Sequence, residues 1–247
     1  NNTAVGYEAL EENTTGTQNV AVGSLALDSN TSSNNNVAIG ANALTAQTTS
    51  PENTAVGTNA LQACTTGFGI NVAVGKDASY SNTTGSNNVA VGYRALYDNV
   101  VNAFNVAIGK EALKSNTQNA NVAVGYHALK TTTTALQLTA VGSNALENST
   151  GGSNSAFGYQ SLQANTTGSV NIAFGASSML HNTTGTNNVG IGVNALRLFT
   201  TASNNTALGS GALYGASGQS TGGNNVAVGY NSLLSNTTGT NNVAVGA

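Results

Sequence analysis

Charge is the scarcest property of this chain. Asp, Glu, Lys and Arg make up 6% of its 247 residues and leave a formal net charge of −3. An average soluble protein carries about 25%. Nothing in that balance supplies a basic footprint for nucleic acid or an anionic membrane, so neither partner is expected. Tryptophan is absent and aromatics reach only 5%. Cys64 is the single cysteine, which excludes an intrachain disulfide framework and suits a small filler. No run approaches the ~20 apolar residues that a membrane span needs, and no signal peptide is legible.

Low charge with abundant Asn, Thr, Gly and Ala would suit disorder, but the apolar positions keep strict register. A glycine returns at 6, 23, 40, 57, 75, 92, 109, 125, 142, 158, 175, 192, 209, 229 and 246. Ten of the fourteen intervals are 17 residues, and the others are 18, 16, 16 and 20. Such self-similarity indicates one supersecondary unit stacked on copies of itself.

With each glycine as zero, the columns are uniform. Asn stands four places before it in fourteen of fifteen copies, Leu138 being the exception. The places three and one before are mainly Val or Ile, with Ala between them and Gly190 as its one replacement. Alternation sends the flanking pair to one side of an extended segment and Ala to the other. The expected core is therefore Val, Ile, Ala and Leu in columns, with the Ala of the strand as an outer row of small groups. Leu follows four places after glycine in twelve of fourteen copies, and Ser79 and Met179 depart. Five coils then turn through Asn-Thr-Thr-Gly, at 13–16, 82–85, 165–168, 182–185 and 236–239. Asn and Gly tolerate the positive φ of such a bend. Gly, Asn, Thr and Val are poor helix formers, which argues against helices. Fourteen of the fifteen charged residues fall one, two, five or six places after glycine, Glu52 excepted, and mark the wet side.

The fold expected is all-β: a parallel β-solenoid of 14–15 coils, one array over residues 1–247 within a longer fibre. Stacked at ~4.8 Å per coil, the Asn column would form an amide ladder. A thin core leaves much backbone entropy to offset, so further burial between chains is expected, with the strand Ala as the contact row.

The phrase Asn-Val-Ala-Val/Ile-Gly, at 19–23, 36–40, 105–109 and 188–192, resembles the head repeats of YadA-type trimeric autotransporter adhesins. Asn2 to Leu10 is similar to repeats of viral tail fibres. The resemblance implies a left-handed β-roll, a homotrimer, and attachment to a cell-surface protein or glycan from the surface of a cell or virion. The 17-residue coil is longer than the usual adhesin-head repeat.

Catalytic chemistry is not legible. His127 and His181 occupy different repeat positions without a neighbouring Cys or paired carboxylate. The glycines lack the following helix of a phosphate cradle. No enzyme, cofactor or metal is expected. Tyr7, Tyr93, Tyr126, Tyr159 and Tyr230 all follow a repeat glycine and are the candidate contact residues for sugar or protein, unless they pack over the bend. Asn-x-Ser/Thr sequons make Asn13, Asn30, Asn82, Asn148, Asn165, Asn182 and Asn236 candidate glycosylation sites, although turn chemistry also explains them. Further candidates are the apolar loops at 64–70, 100–104, 135–138 and 198–199 and the insertion at 214–223. The function expected is a non-enzymatic extracellular fibre segment. A self-assembling filament without a receptor is the alternative, and an ice-binding solenoid ranks lower.

Overall fold

A computed structural model describes residues 1–216 and 220–247 of the chain. Part of the insertion at 214–223 therefore lies outside the described residues. The rest is all-β, with no helix among them. Two compact units divide the chain, Asn1–Asn121 and Val122–Ala247. The first holds strands from β1 (Thr3–Val5) to β7 (Val106–Ile108), and the second holds β8 (Val122–Val124) to β15 (Val243–Val245). Each strand is three residues long, and within each unit it pairs in parallel with the next without register shift, as in Ala21↔Ala38 and Ala156↔Ala173. Each unit is thus a parallel β-solenoid with one short strand per coil.

The strand faces are the reverse of the expectation. Ala21, Ala38, Ala55, Ala73 and their equivalents in β2 to β14 have no exposed surface, while Ala4 and Ala244 in the end coils do, and the flanking Val and Ile are half-buried or exposed. The physical reason is the width of the coil. Leu27, Leu44, Leu61 and the other column leucines fill the interior, and a methyl group is all that fits on the facing strand. A compensating pair makes the limit visible. Gly190 replaces Ala in β12 (Val189–Ile191), and a Cβ there would lie 2.8 Å from Ser178 Oγ and 3.1 Å from Cε of Met179, the residue that replaces Leu. The longer Met179 side chain and its Ser178 neighbour take the space of the missing methyl.

The repeat glycine lets the coils stack. Gly92 has φ +133°, and a Cβ would fall 2.6 Å from the carbonyl oxygen of Gly109 in the next coil. Leu27 (φ 53°) and its column equivalents also sit in the left-handed region, as do the places two after and five before glycine. Each such corner costs about 1–2 kcal/mol for an ordinary residue. Burial of the leucine, at about 1.5–3 kcal/mol, is of the size needed to hold its own corner.

Asn four places before glycine builds the expected ladder. The Asn36 backbone N–H donates to Asn19 Oδ1 at 3.0 Å, and Asn53 repeats the bond to Asn36 at 2.9 Å. Asn19 Nδ2 reaches the Ser33 carbonyl at 2.8 Å. A second buried column closes the Asn-Thr-Thr-Gly corner: Gly85 N–H donates to Asn82 Oδ1 at 2.8 Å, and Asn82 Nδ2 returns to the Gly85 carbonyl at 3.0 Å. These amides satisfy backbone groups that the narrow core would otherwise leave unpaired.

Gly92→Ala is expected to destabilise the fold by about 3 kcal/mol or more, since it combines a forbidden φ with a backbone collision. A melting temperature within 2–3 °C of the parent, a shift of about the size 1 kcal/mol gives, would contradict this. Gly190→Ala should be better tolerated in a Met179→Leu background than alone, with a coupling of about 1 kcal/mol in a denaturant double-mutant cycle.

Candidate functional site

All five candidate tyrosines are exposed, from Tyr93 at 37% to Tyr7 at 69%. Within each unit they share one edge without adjoining: Tyr7 and Tyr93 stand five coils apart, and Tyr126, Tyr159 and Tyr230 two or four coils apart. Each is a separate contact, not part of a continuous aromatic strip.

The sequence reading overlooked tyrosines five places after glycine. Tyr80 and Tyr97 stack with ring centroids 5.1 Å apart. The Arg94 guanidinium lies 5.1 Å from the Tyr93 ring centre and 5.2 Å from that of Tyr97. Arg94 Nε is 3.6 Å from Asp77 Oδ2, and Asp77 accepts from Asn59 Nδ2 at 2.9 Å. The signal was the same column that collects Glu11, Lys114 and Arg197. At one coil spacing, successive side chains in that column must touch.

Neither histidine joins a metal-like cluster. His127 stacks on Tyr126 with ring centroids 3.6 Å apart, and its Nδ1 is 3.5 Å from Glu147 Oε1. His181 is exposed. Among the described residues, the grouping of three possible ligands is Glu8, Glu11 and Asp28, whose oxygens lie within 4.8 Å of one another. Burial pushes the Asp28 carboxyl above its usual range, helped by Glu12 and Glu8. The cluster is a mutual repulsion at one wet edge and carries no chemistry of its own.

Most sequon asparagines are inside. Asn30, Asn82, Asn165 and Asn182 are buried, and their Nδ2 atoms donate to Asn13 Oδ1, Gly85 O, Gly168 O and Asn165 Oδ1 respectively. Attached sugar would break those bonds, so turn and ladder chemistry accounts for these four. Asn13 and Asn236 are half-buried, and each donates to the glycine carbonyl closing its own corner. Only Asn148 of the seven is exposed. The threonines of the turns are similarly occupied: the Thr14 and Thr48 hydroxyls donate to the Thr31 and Thr65 carbonyls at 2.8 and 3.1 Å. They are therefore engaged coil to coil.

The apolar loops divide by position. Cys64, Leu138 and Phe199 are buried and take positions that other coils mostly give to Asn, Ala135 is buried in a column that is most often Gly, and Phe68, Ile70, Val101, Phe104 and Leu136 are exposed. Burial pushes the Cys64 thiol from its ordinary 9.0 up to about 11, and a hydrogen bond with Ser50 opposes the rise.

The outer strand face also leaves apolar side chains in water. Val72, Val74 and Ile108 in the first unit, and Ile172, Phe174, Ile191 and Leu208 in the second, are 36–56% exposed. Phe157 and Phe174 stack at 5.5 Å along it. Ile70 and Phe104 in the first unit, and Val170 in the second, continue the apolar surface five places before glycine. Ile70 and Val170 do so at φ 58°, a conformation that β-branched residues avoid.

Because the folded thiol ionises later than the unfolded one, stability from Cys64 is complete below pH 9 and is lost as pH rises from about 9 to about 11. Cys64→Ser should remove most of that alkaline slope in pH-dependent melting. Val170→Asn, matching Asn187 one coil on, should raise stability by about 0.5–1 kcal/mol through relief of the left-handed strain, read as a higher denaturation midpoint. No model of a known protein family matches the chain, and no curated protein matches it.

Proposed function

We propose that this chain is a non-enzymatic structural segment of an extracellular fibre whose copies associate side by side through the outward Val, Ile and Phe columns. The observation that carries this reading is the outer strand face itself. Ile172, Phe174, Ile191 and Leu208 repeat at strand pitch on consecutive coils, and no strand position holds a charge. A monomer gains nothing from leaving such a face in water. The partner that keeps register with it over many coils is one with the same pitch, which a second copy of this chain provides. The contact row is thus Val and Ile, not Ala, and its burial is larger per coil.

Association of this kind makes a stiff support. A homotrimer follows the resemblance of the repeats to adhesin heads, and attachment to a surface protein or glycan would gain from repeated weak contacts. The exposed tyrosines one place after glycine lie outside the strand columns and would remain accessible to such contacts.

Light scattering should give an oligomeric mass at micromolar concentration. Ile172→Lys with Phe174→Lys should yield a folded monomer with unchanged circular dichroism. A parent chain that stays monomeric would sink the proposal, and indefinitely long fibrils in negative stain would favour the end-to-end filament instead.

A further inference from the structure

The column two places after glycine carries a side chain in every coil but one. Asn194 and Asn231 occupy it with φ 59° and 54°, and Gly211 stands between them at φ +69°. The missing side chain is partly made up by Asn231, whose Oδ1 leans over Gly211 to where a Cβ would stand. Around it opens a groove of about 390 Å³ lined by Asn194, Ser210, Gly211, Tyr214, Tyr230 and Asn231 among others. Binding pockets for small ligands start at about 300 Å³.

The lining is uncharged and mixed. Two carboxamides and the hydroxyls of Ser210 and Ser235 offer donors and acceptors side by side, and two tyrosines and Leu234 offer apolar surface. Tyr214 is fixed from behind: Arg197 Nη1 donates to its hydroxyl at 2.8 Å, and the guanidinium lies 5.7 Å from the ring centre. Its oxygen is thereby engaged as an acceptor, and its own hydrogen remains available to donate. Tyr230 stands at the rim, 64% exposed.

We propose that this groove binds one unit of a neutral saccharide. A pyranose presents vicinal hydroxyls that suit paired amides, and C–H faces that suit an aromatic ring. A purely apolar ligand would leave Asn194 and Asn231 unsatisfied, and a charged one would find no counter-ion in the lining. Every named lining residue lies outside the strand columns, so side-by-side association of chains leaves the groove open. The assignment therefore goes beyond the structural role proposed above and stands or falls separately from it.

The test is saturation-transfer NMR on the full chain with the methyl glycosides of glucose, galactose, mannose and N-acetylglucosamine. At least one should bind with a Kd on the order of 1 mM. Gly211→Asn restores the column residue of the neighbouring coils, in a backbone conformation that Asn tolerates. It should fill the groove and weaken binding by about tenfold or more, equivalent to 1.4 kcal/mol, with circular dichroism unchanged. Tyr230→Ala, at an exposed rim position, should weaken the same sugar without touching the fold. Absence of transfer from all four glycosides overturns the proposal, as does transfer undiminished in both variants. Neither result bears on the oligomeric mass.

Discussion

The close approach of backbone to backbone at the repeat glycines governs everything else in this protein. Gly23, Gly40 and Gly57 sit at φ between +132° and +138°, each facing the glycine of the next coil with no room for a Cβ. That approach holds the corner at strand pitch and lets one coil lie on the next without a register shift. Once the pitch is set, every other position becomes a column, and a side chain's main neighbours are its own equivalents above and below. The fold is therefore a set of one-dimensional problems solved in parallel.

Each column has its own physics. The strand methyls and the leucines exclude water from a core only a few atoms wide. The two asparagine columns bring polar groups inside and satisfy the backbone at corners where no strand partner is available. Where a column changes character it does so locally, as when Phe199 or Cys64 takes an amide position, or when Gly190 accommodates Met179. Left-handed residues such as Leu27 and Leu44 show the balance at work, with corner strain held by burial of the same side chain.

The consequence for function lies on the outside. A coil too narrow for valine turns its β-branched residues to solvent, and the same periodicity that stacks the core then writes a flat apolar face. That face suits association between copies, while the corner columns carry tyrosine, charge and, at Gly211, a gap with polar walls. The proposed association and the proposed ligand contact would use different columns of the coil and would not compete.

Much was legible from spacing. The period of Gly6 to Gly246 specified a parallel solenoid, the Asn column specified a ladder, and charge placement specified the wet edge, because each depends on a residue's recurrence and not on its surroundings. The tyrosines after glycine were placed correctly for the same reason. Alternation along Val20-Ala21-Val22 states only that neighbours face opposite ways. Which way is decided by the depth of the interior opposite the strand, a property of Leu27 and its turn in three dimensions. Tertiary structure likewise decided that Asn82 and Asn165 are buried ladder amides and not surface sequons, and that Tyr80, Tyr97 and Arg94 meet. Periodicity determines the stack, and the width of the stack decides what faces water.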